Sequence, residues 1–486
     1  MNSHHIKKNL MSSFFWKFLE RTGTQGIQFV VQIILARLLT PEQFGSIAIV
    51  LVFINLAQVF VQSGFSTALI QKKNADEKDF SSIFFLSIFI ASIVYIIIFL
   101  VAPYIGAFYD DRILVPILRI LALTLFTGAF NSIQNAYISR KMLFKQLFKS
   151  SLVAAFISGV CGIILAYQGA GIWALVVQQL VNQIIISIVL WYTVQWRPQL
   201  TFSVTRIKSL FSFGWKLLVS GFLDVFYREL RTLIIGRLYA PATLGYYNRG
   251  EQFPKLIVTN IDGTIQSVML PTLSAHQDDK NRVKDMMRRA ISTSSFFVFP
   301  LMMGLAVISE PFITLVLTEK WLSAVPFLQI FCVSYALMPI HSANLQAINA
   351  MGRSDIFLRL EIIKKILGIV ILLISLPFGV YAIAIGQVIN NILATFINAY
   401  PNKKLLNYSY IEQWLDLMPS LFISLTMGVA IYAFNFLSLQ SWQKLILQIP
   451  SGVILYLFLS YIFKIRSLEY VWINIKQLLD SKNKTN

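Results

Sequence analysis

Eleven basic residues lie inside or at the edge of long apolar stretches, and five of them share a helical face with other polar groups: Arg21, Lys216, Arg228, Arg231 and Lys255. A charge at the centre of a membrane helix costs roughly 2.5–3.5 kcal/mol, so such groups face water, a partner or a ligand. Spacings of three, four and seven define four stripes. The first is Lys17, Arg21, Thr24, Gln25, Gln28 and Gln32; the second is Asn55, Gln58, Gln62 and Ser66. The third is Lys216, Ser220, Asp224, Tyr227, Arg228 and Arg231; the fourth is Asn248, Gln252, Lys255, Thr259, Asp262 and Gln266.

Such a set suits an anionic, hydroxyl-rich ligand. Arg and Lys hold a pyrophosphate through charge-assisted hydrogen bonds, while Gln25, Gln28, Asn55, Gln62, Tyr227 and Asn248 offer hydrogen bonds or stacking to sugars. Asp224 and Asp262 are the carboxylates available for ion coupling. A cavity for an organic cation would be dominated by Asp and Glu instead. Simpler readings stand beside these. Lys17, Arg249, Lys364 and Lys365 lie near helix ends, where snorkelling reaches the headgroups. Amides bridge neighbouring helices in membranes, and Asp224 and Glu229 are placed to neutralise Arg228 and Arg231. His341, Cys161 and Cys332 read as core residues, with no disulfide and no metal site expected.

No catalytic motif accompanies the stripes. The chain has no phosphate-binding loop, no HExxH and no zinc spacing, so neither an enzyme nor a bound cofactor is expected. The net charge is +19, which in a soluble chain would suggest nucleic acid. Here most of that charge sits in short loops, which makes it a topology signal and nucleic acid an unexpected partner.

The elements that must position these residues are membrane helices. The 486 residues are 56% hydrophobic and 13% charged, against about 25% charged in soluble proteins. Apolar runs near the ~20 residues that cross a bilayer recur throughout. Helices are expected near 14–38, 43–69, 82–105, 113–138, 149–167, 171–195, 209–238, 245–272, 290–317, 323–349, 355–377, 379–400, 417–437 and 443–463. Strands are not, because alternating barrel-type segments are absent. The N-terminus shows no cleavable signal peptide. Of 41 basic residues, 25 fall in loops on one side and five on the other. The positive-inside rule makes the first side cytoplasmic and puts both termini there, which an even number of spans satisfies.

The sequence also repeats. Ile34 to Pro41 with Phe44-Gly45 recurs as Ile234 to Pro241 with Leu244-Gly245, and Gly171-Ile172-Trp173-Ala174 recurs as Gly379-Val380-Tyr381-Ala382. A duplicated six-helix unit follows, with lobes at 1–200 and 201–410 and two extra helices plus a cytoplasmic tail at 411–486. An even number of spans per unit makes the repeats parallel, related by an axis along the membrane normal. The stripes fall on equivalent helices of the two lobes, so the expected geometry is a polar cavity lined by helices 1, 2, 7 and 8.

Several stretches look familiar in order: Ala36-Arg37-Leu38-Leu39-Thr40-Pro41-Glu42-Gln43-Phe44-Gly45, Gly64 to Gln71, Gly245-Tyr246-Tyr247-Asn248-Arg249, Pro271 to Ser274, Glu319-Lys320-Trp321 and Met351-Gly352-Arg353-Ser354-Asp355. Over about residues 10–410 the chain resembles the bacterial polysaccharide flippases of the multidrug/oligosaccharidyl-lipid/polysaccharide (MOP) exporter superfamily. The likeness is greatest to the colanic-acid/teichuronic-acid exporter branch, often labelled "lipopolysaccharide biosynthesis protein". The resemblance implies an all-α, MATE-like fold of about fourteen spans in the bacterial cytoplasmic membrane. It implies an undecaprenyl-diphosphate-linked oligosaccharide flipped by alternating access, with polysaccharide polymerase and glycosyltransferases as partners. A small-molecule antiporter of the same fold is the competing expectation.

Overall fold

The computed structural model describes residues 3–62 and 64–483, with side chains described over 15–62, 64–211, 214–473 and 476–477. Lys7, Lys8, Lys482 and Lys484 of the basic side therefore lie outside the described side chains. Internal contacts divide the chain into Met1–Gly245 and Tyr246–Asn486. The first unit holds α1 (Ser3–Leu38), α2 (Pro41–Gln62), α3 (Phe65–Gln71), α4 (Glu77–Phe108), α5 (Leu114–Leu121), α6 (Thr124–Lys141), α7 (Phe144–Tyr167), α8 (Ile172–Thr193) and α9 (Val204–Leu238). Of α10 (Pro241–Ser274) it holds the first turn. The second unit continues α10 and adds α11 (Lys280–Val307), α12 (Ser309–Leu317), α13 (Val325–Ala336), α14 (Met338–Ala350), α15 (Ser354–Ser375), α16 (Val380–Leu406), α17 (Tyr410–Tyr432), α18 (Ser441–Ile462) and α19 (Arg466–Asn483). No strand occurs among the described residues.

Among the described residues each of the fourteen expected stretches falls mainly in helix, some of them broken. Ten helices among the described residues are long and apolar enough to cross a membrane, and eleven if Val204–Phe211 and Gly214–Leu238, bent by 52°, form one span. The stretches in α1, α10 and α15 fall short because they carry the buried or striped charges, Lys17 to Arg21, Arg249 to Lys255 and Arg359 to Lys365 among them. Local chemistry sets the breaks. Asp76 accepts from the Asp79 N–H to cap α4, and Ser409 does the same for α17 through Glu412. Pro41 and Pro241 open α2 and α10, where a missing N–H costs nothing. Gly64, at φ +86°, separates α2 from α3.

In the first unit α1 lies on α7, α7 on α8, and α9 on α2. Trp196 is clustered with Phe80, Phe84 and Leu210 at the core. α9 is held at both ends. Arg206 is paired with Asp76 and lies 3.2 Å from Asp79, and Arg237 lies 3.0 Å from Asp110. Where the two repeated motifs meet, an added Cβ on Gly45 would stand 1.8 Å from the Pro241 carbonyl oxygen. One on Gly245 would stand 2.2 Å from that of Pro41. The contact is reciprocal, so the backbones of the two repeats approach as related partners would, and only glycine fits. In the second unit α11 is packed on α17, and α15 on α16. Val283, Met287, Ile291, Ile340 and Leu417 form one core; Phe296, Met427, Ile431 and Tyr456 form another. Exposed Phe89, Ile93, Ile96, Ile97 and Leu100 along α4 give the apolar outer face that lipid requires.

Candidate functional site

α9 carries three of the five candidate cations, Lys216, Arg228 and Arg231. Phe222 packs against Phe60 with tilted rings, 5.3 Å between centroids; Glu229 accepts from Asn55 of α2 at 3.3 Å; the Leu233 carbonyl accepts from Tyr109 at 3.3 Å. These three positions define the face turned to α2 and α4. At about 100° per residue, Lys216, Ser220, Asp224, Tyr227 and Arg231 lie round the opposite face, with Arg228 at its edge. Lys216, Asp224 and Arg228 are exposed; Tyr227 and Arg231 are half-buried. Among the described residues no ion pair or hydrogen bond holds Lys216, Arg228 or Arg231. Neutralisation of Arg228 or Arg231 by Glu229 is therefore not what the structure has: Asn55 takes Glu229 instead. Arg228 lies ten residues from the end of α9, about 15 Å along the axis, half of the ~30 Å that crosses a hydrocarbon layer. A bare guanidinium at that depth belongs in water or against an anion.

The other stripes divide. On α1, Glu20 accepts from Ser151 of α7 at 3.2 Å. Arg21 and Gln28 remain exposed and Gln25 half-buried, and α1 forms no extended contact with α9. On α2, Gln58 donates to the Thr124 carbonyl of α6 at 2.9 Å and accepts from Gln62 at 2.5 Å. Gln58 thus bridges α2 to α6, Gln62 bonds within α2, and Asn55 turns to α9. In the second unit Lys255, half-exposed, lies 3.8 Å from Glu251, which also accepts from Tyr335 at 2.7 Å. Asn248 is half-buried. Asp262 is buried and accepts from Ser342 at 2.8 Å and Gln266 at 2.6 Å.

Arg249 departs from the expected snorkelling. Its side chain is 5% exposed, donates to Gln252 and lies 5.7 Å from the Trp321 ring centroid, drawn inward by amide and aromatic partners. His341 is half-buried beside Asn398, and Cys332 is buried. Helical spacing gave no sign of a buried amide cluster in the second unit. Asn344 donates to Gln413 at 2.8 Å and accepts from Asn402 at 2.7 Å. Within the segment expected as a tail after the last helix, 443–463, the chain forms α19, whose period of apolar residues from Leu468 to Leu479 was legible.

Comparison with known proteins agrees with this fold. A family profile described as "Polysaccharide biosynthesis protein" matches residues 34–326. The teichuronic acid biosynthesis protein TuaB of Bacillus subtilis is 26% identical over 93% of this chain and 95% of its own length. The lipopolysaccharide biosynthesis protein WzxC of Escherichia coli is 24% identical over 88% of each. Among solved structures, the lipid II flippase MurJ in an inward closed conformation superposes with a TM-score of 0.75 at 17% identity, covering 93% of this chain and 98% of that one. An inward-facing multidrug resistance MATE family transporter of the MOP superfamily gives 0.59 at 14%, covering 80% and 98%.

Proposed function

The chain belongs to the polysaccharide biosynthesis protein family, and from that premise we propose that it flips a lipid-diphosphate-linked oligosaccharide across the bacterial cytoplasmic membrane. The observation that carries this reading is the set of unpaired cations on the open face of α9, Lys216, Arg228 and Arg231, at membrane depth. Cations without acidic partners attract a diphosphate and repel an organic cation, which weighs against the small-molecule antiporter. The basic loops keep both termini in the cytoplasm, so the substrate enters from that side. Arg21 and Lys216 meet it first, and Arg228 and Arg231 hold it deeper. Lys255 and the amides of Gln25, Gln28, Asn55, Gln62 and Asn248, with Tyr227, contact saccharide and phosphate; Asp224 and Asp262 are the candidates for ion coupling. Movement is by alternating access of the repeated halves. The polymerase and glycosyltransferases of the same glycan act before and after this step.

Each charged hydrogen bond to phosphate contributes about 1.5–3 kcal/mol, a factor of about ten or more in affinity. Arg228→Ala and Arg231→Ala are expected to cut binding of an undecaprenyl-diphosphate-linked oligosaccharide about tenfold each and to reduce polymer export sharply, with membrane levels near normal. Arg→Lys restores part of the loss, because a point charge replaces a bidentate fork. Full export by an Arg228→Ala/Asp224→Ala double variant would make the pair structural and remove the substrate role.

A further inference from the structure

The second unit contains a cleft that the translocation chemistry does not use. It lies where α11 and α17 meet the turn from α18 into α19, and its volume is about 600 Å³. Four cations line it, Arg288, Arg289, Lys464 and Arg466, against two carboxylates, Asp285 and Asp416. Arg288 is already paired with Asp416, which also accepts from the Tyr408 hydroxyl at 2.7 Å. Among the described residues, Arg289, Lys464 and Arg466 have no ion pair and no side-chain hydrogen bond. They converge from α11 and from either side of the turn. Lys464 takes a left-handed backbone, φ +48°, as α18 ends. With Arg288 and Asp416 paired, three cations stand against the one carboxylate of Asp285, a net positive cleft that an entering anion would stabilise, and Ser292, Thr293 and Ser467 stand in the same walls as hydroxyl donors.

The surroundings point to where that anion comes from. α19 is rooted by Leu468 against the cluster of Phe296, Met427, Tyr456 and Ile465. Beyond that root it exposes Trp472 (68%) and Ile473 (54%). Phe463 and Tyr470 border the cleft itself. An amphipathic helix with exposed aromatic and aliphatic side chains beside a set of cations has the chemistry of a segment lying in the headgroup layer.

We propose that this cleft binds the phosphate of an anionic phospholipid and so seats α19 on the membrane surface. Native mass spectrometry of the full chain tests it, counting retained dioleoyl phosphatidylglycerol against dioleoyl phosphatidylcholine. The expected result is preferential retention of phosphatidylglycerol. An Arg289→Gln/Lys464→Gln/Arg466→Gln variant should lose that preference by roughly tenfold or more, since each basic side chain near an anionic surface counts severalfold. The charge-preserving Arg289→Lys/Lys464→Arg/Arg466→Lys variant should keep it, as should Lys403→Gln/Lys404→Gln, whose cations lie outside the cleft. The proposal is overturned by equal retention of the two lipids, or by a preference that survives the triple glutamine variant. An equal loss in the Lys403/Lys404 variant would assign the effect to diffuse surface charge. Displacement of phosphatidylglycerol by equimolar glycerol 3-phosphate would assign the cleft to a soluble phosphate compound instead.

Discussion

Polar residues are treated in opposite ways on α9 of the first unit and in the core of the second. In the first, α9 carries Lys216, Arg228 and Arg231 without partners, while its polar contacts to α2 and α4 use other positions, Glu229 and the Leu233 carbonyl. In the core of the second unit, the amides of Asn344, Gln413 and Asn402 are buried and bonded to each other. Buried and satisfied polar groups fix packing. Exposed, unpaired cations at membrane depth do the reverse, since they cost stability unless water or a ligand serves them. The difference separates residues kept for the fold from residues kept for a substrate, though composition alone makes both look like polar stripes.

Removing a buried amide tests that separation with the largest effect. Asn344 is fully buried, and Asn344→Ala strands the Gln413 and Asn402 side chains. The expected loss is about 1–3 kcal/mol, read as a lower Tm of the full chain in detergent, and an unchanged Tm would deny the network its packing role. The cations give the contrasting result. Arg228→Ala and Arg231→Ala should each shift stability by no more than about 0.5 kcal/mol, because neither side chain holds a partner in place. A Tm drop as large as that of Asn344→Ala would erase the distinction between the units.

Helix positions were legible in the sequence because apolar length reports them directly. Gly45 and Gly245 were visible as a repeated pair. That each lies against the other repeat's proline carbonyl depends on a contact 200 residues away in sequence, which no local pattern encodes. The candidate site was legible only as faces. Spacing placed Gln58 and Gln62 on one face with Asn55, yet Gln58 bridges to α6, Gln62 bonds to Gln58, and Asn55 reaches α9. Helical periodicity fixes a direction and leaves the neighbour open. Arg249 shows the same limit: a helix-end position suggested the headgroups, and Trp321 and Gln252 supplied a better environment inside. The α19 segment was readable as an amphipathic period, but its polar content made it look like tail.

The smallest effect concerns how the first unit holds α9. Asp76, which caps α4, is paired with Arg206 near the start of α9. The hydrogen bond from Arg206 is the main cause that lowers its carboxyl from 3.8 to about 2. A carboxylate depressed in the folded state contributes stability above its unfolded value and loses it as pH falls through the folded one. The contribution is therefore full at neutral pH and fades between about 3.8 and 2. Asp76 is half-exposed, so screening limits the pair to about 0.2–1 kcal/mol. Asp76→Asn should melt slightly below the native chain at pH 7, and the gap should narrow as melts are repeated from pH 5 down to pH 2.5. Added salt should narrow it at neutral pH as well. A gap that stays constant down to pH 2.5 would mean that the charge of Asp76 is not what ties α9 to α4, leaving that role to Asp79, which is fully buried and lies between Lys72 at 2.7 Å and Arg206 at 3.2 Å.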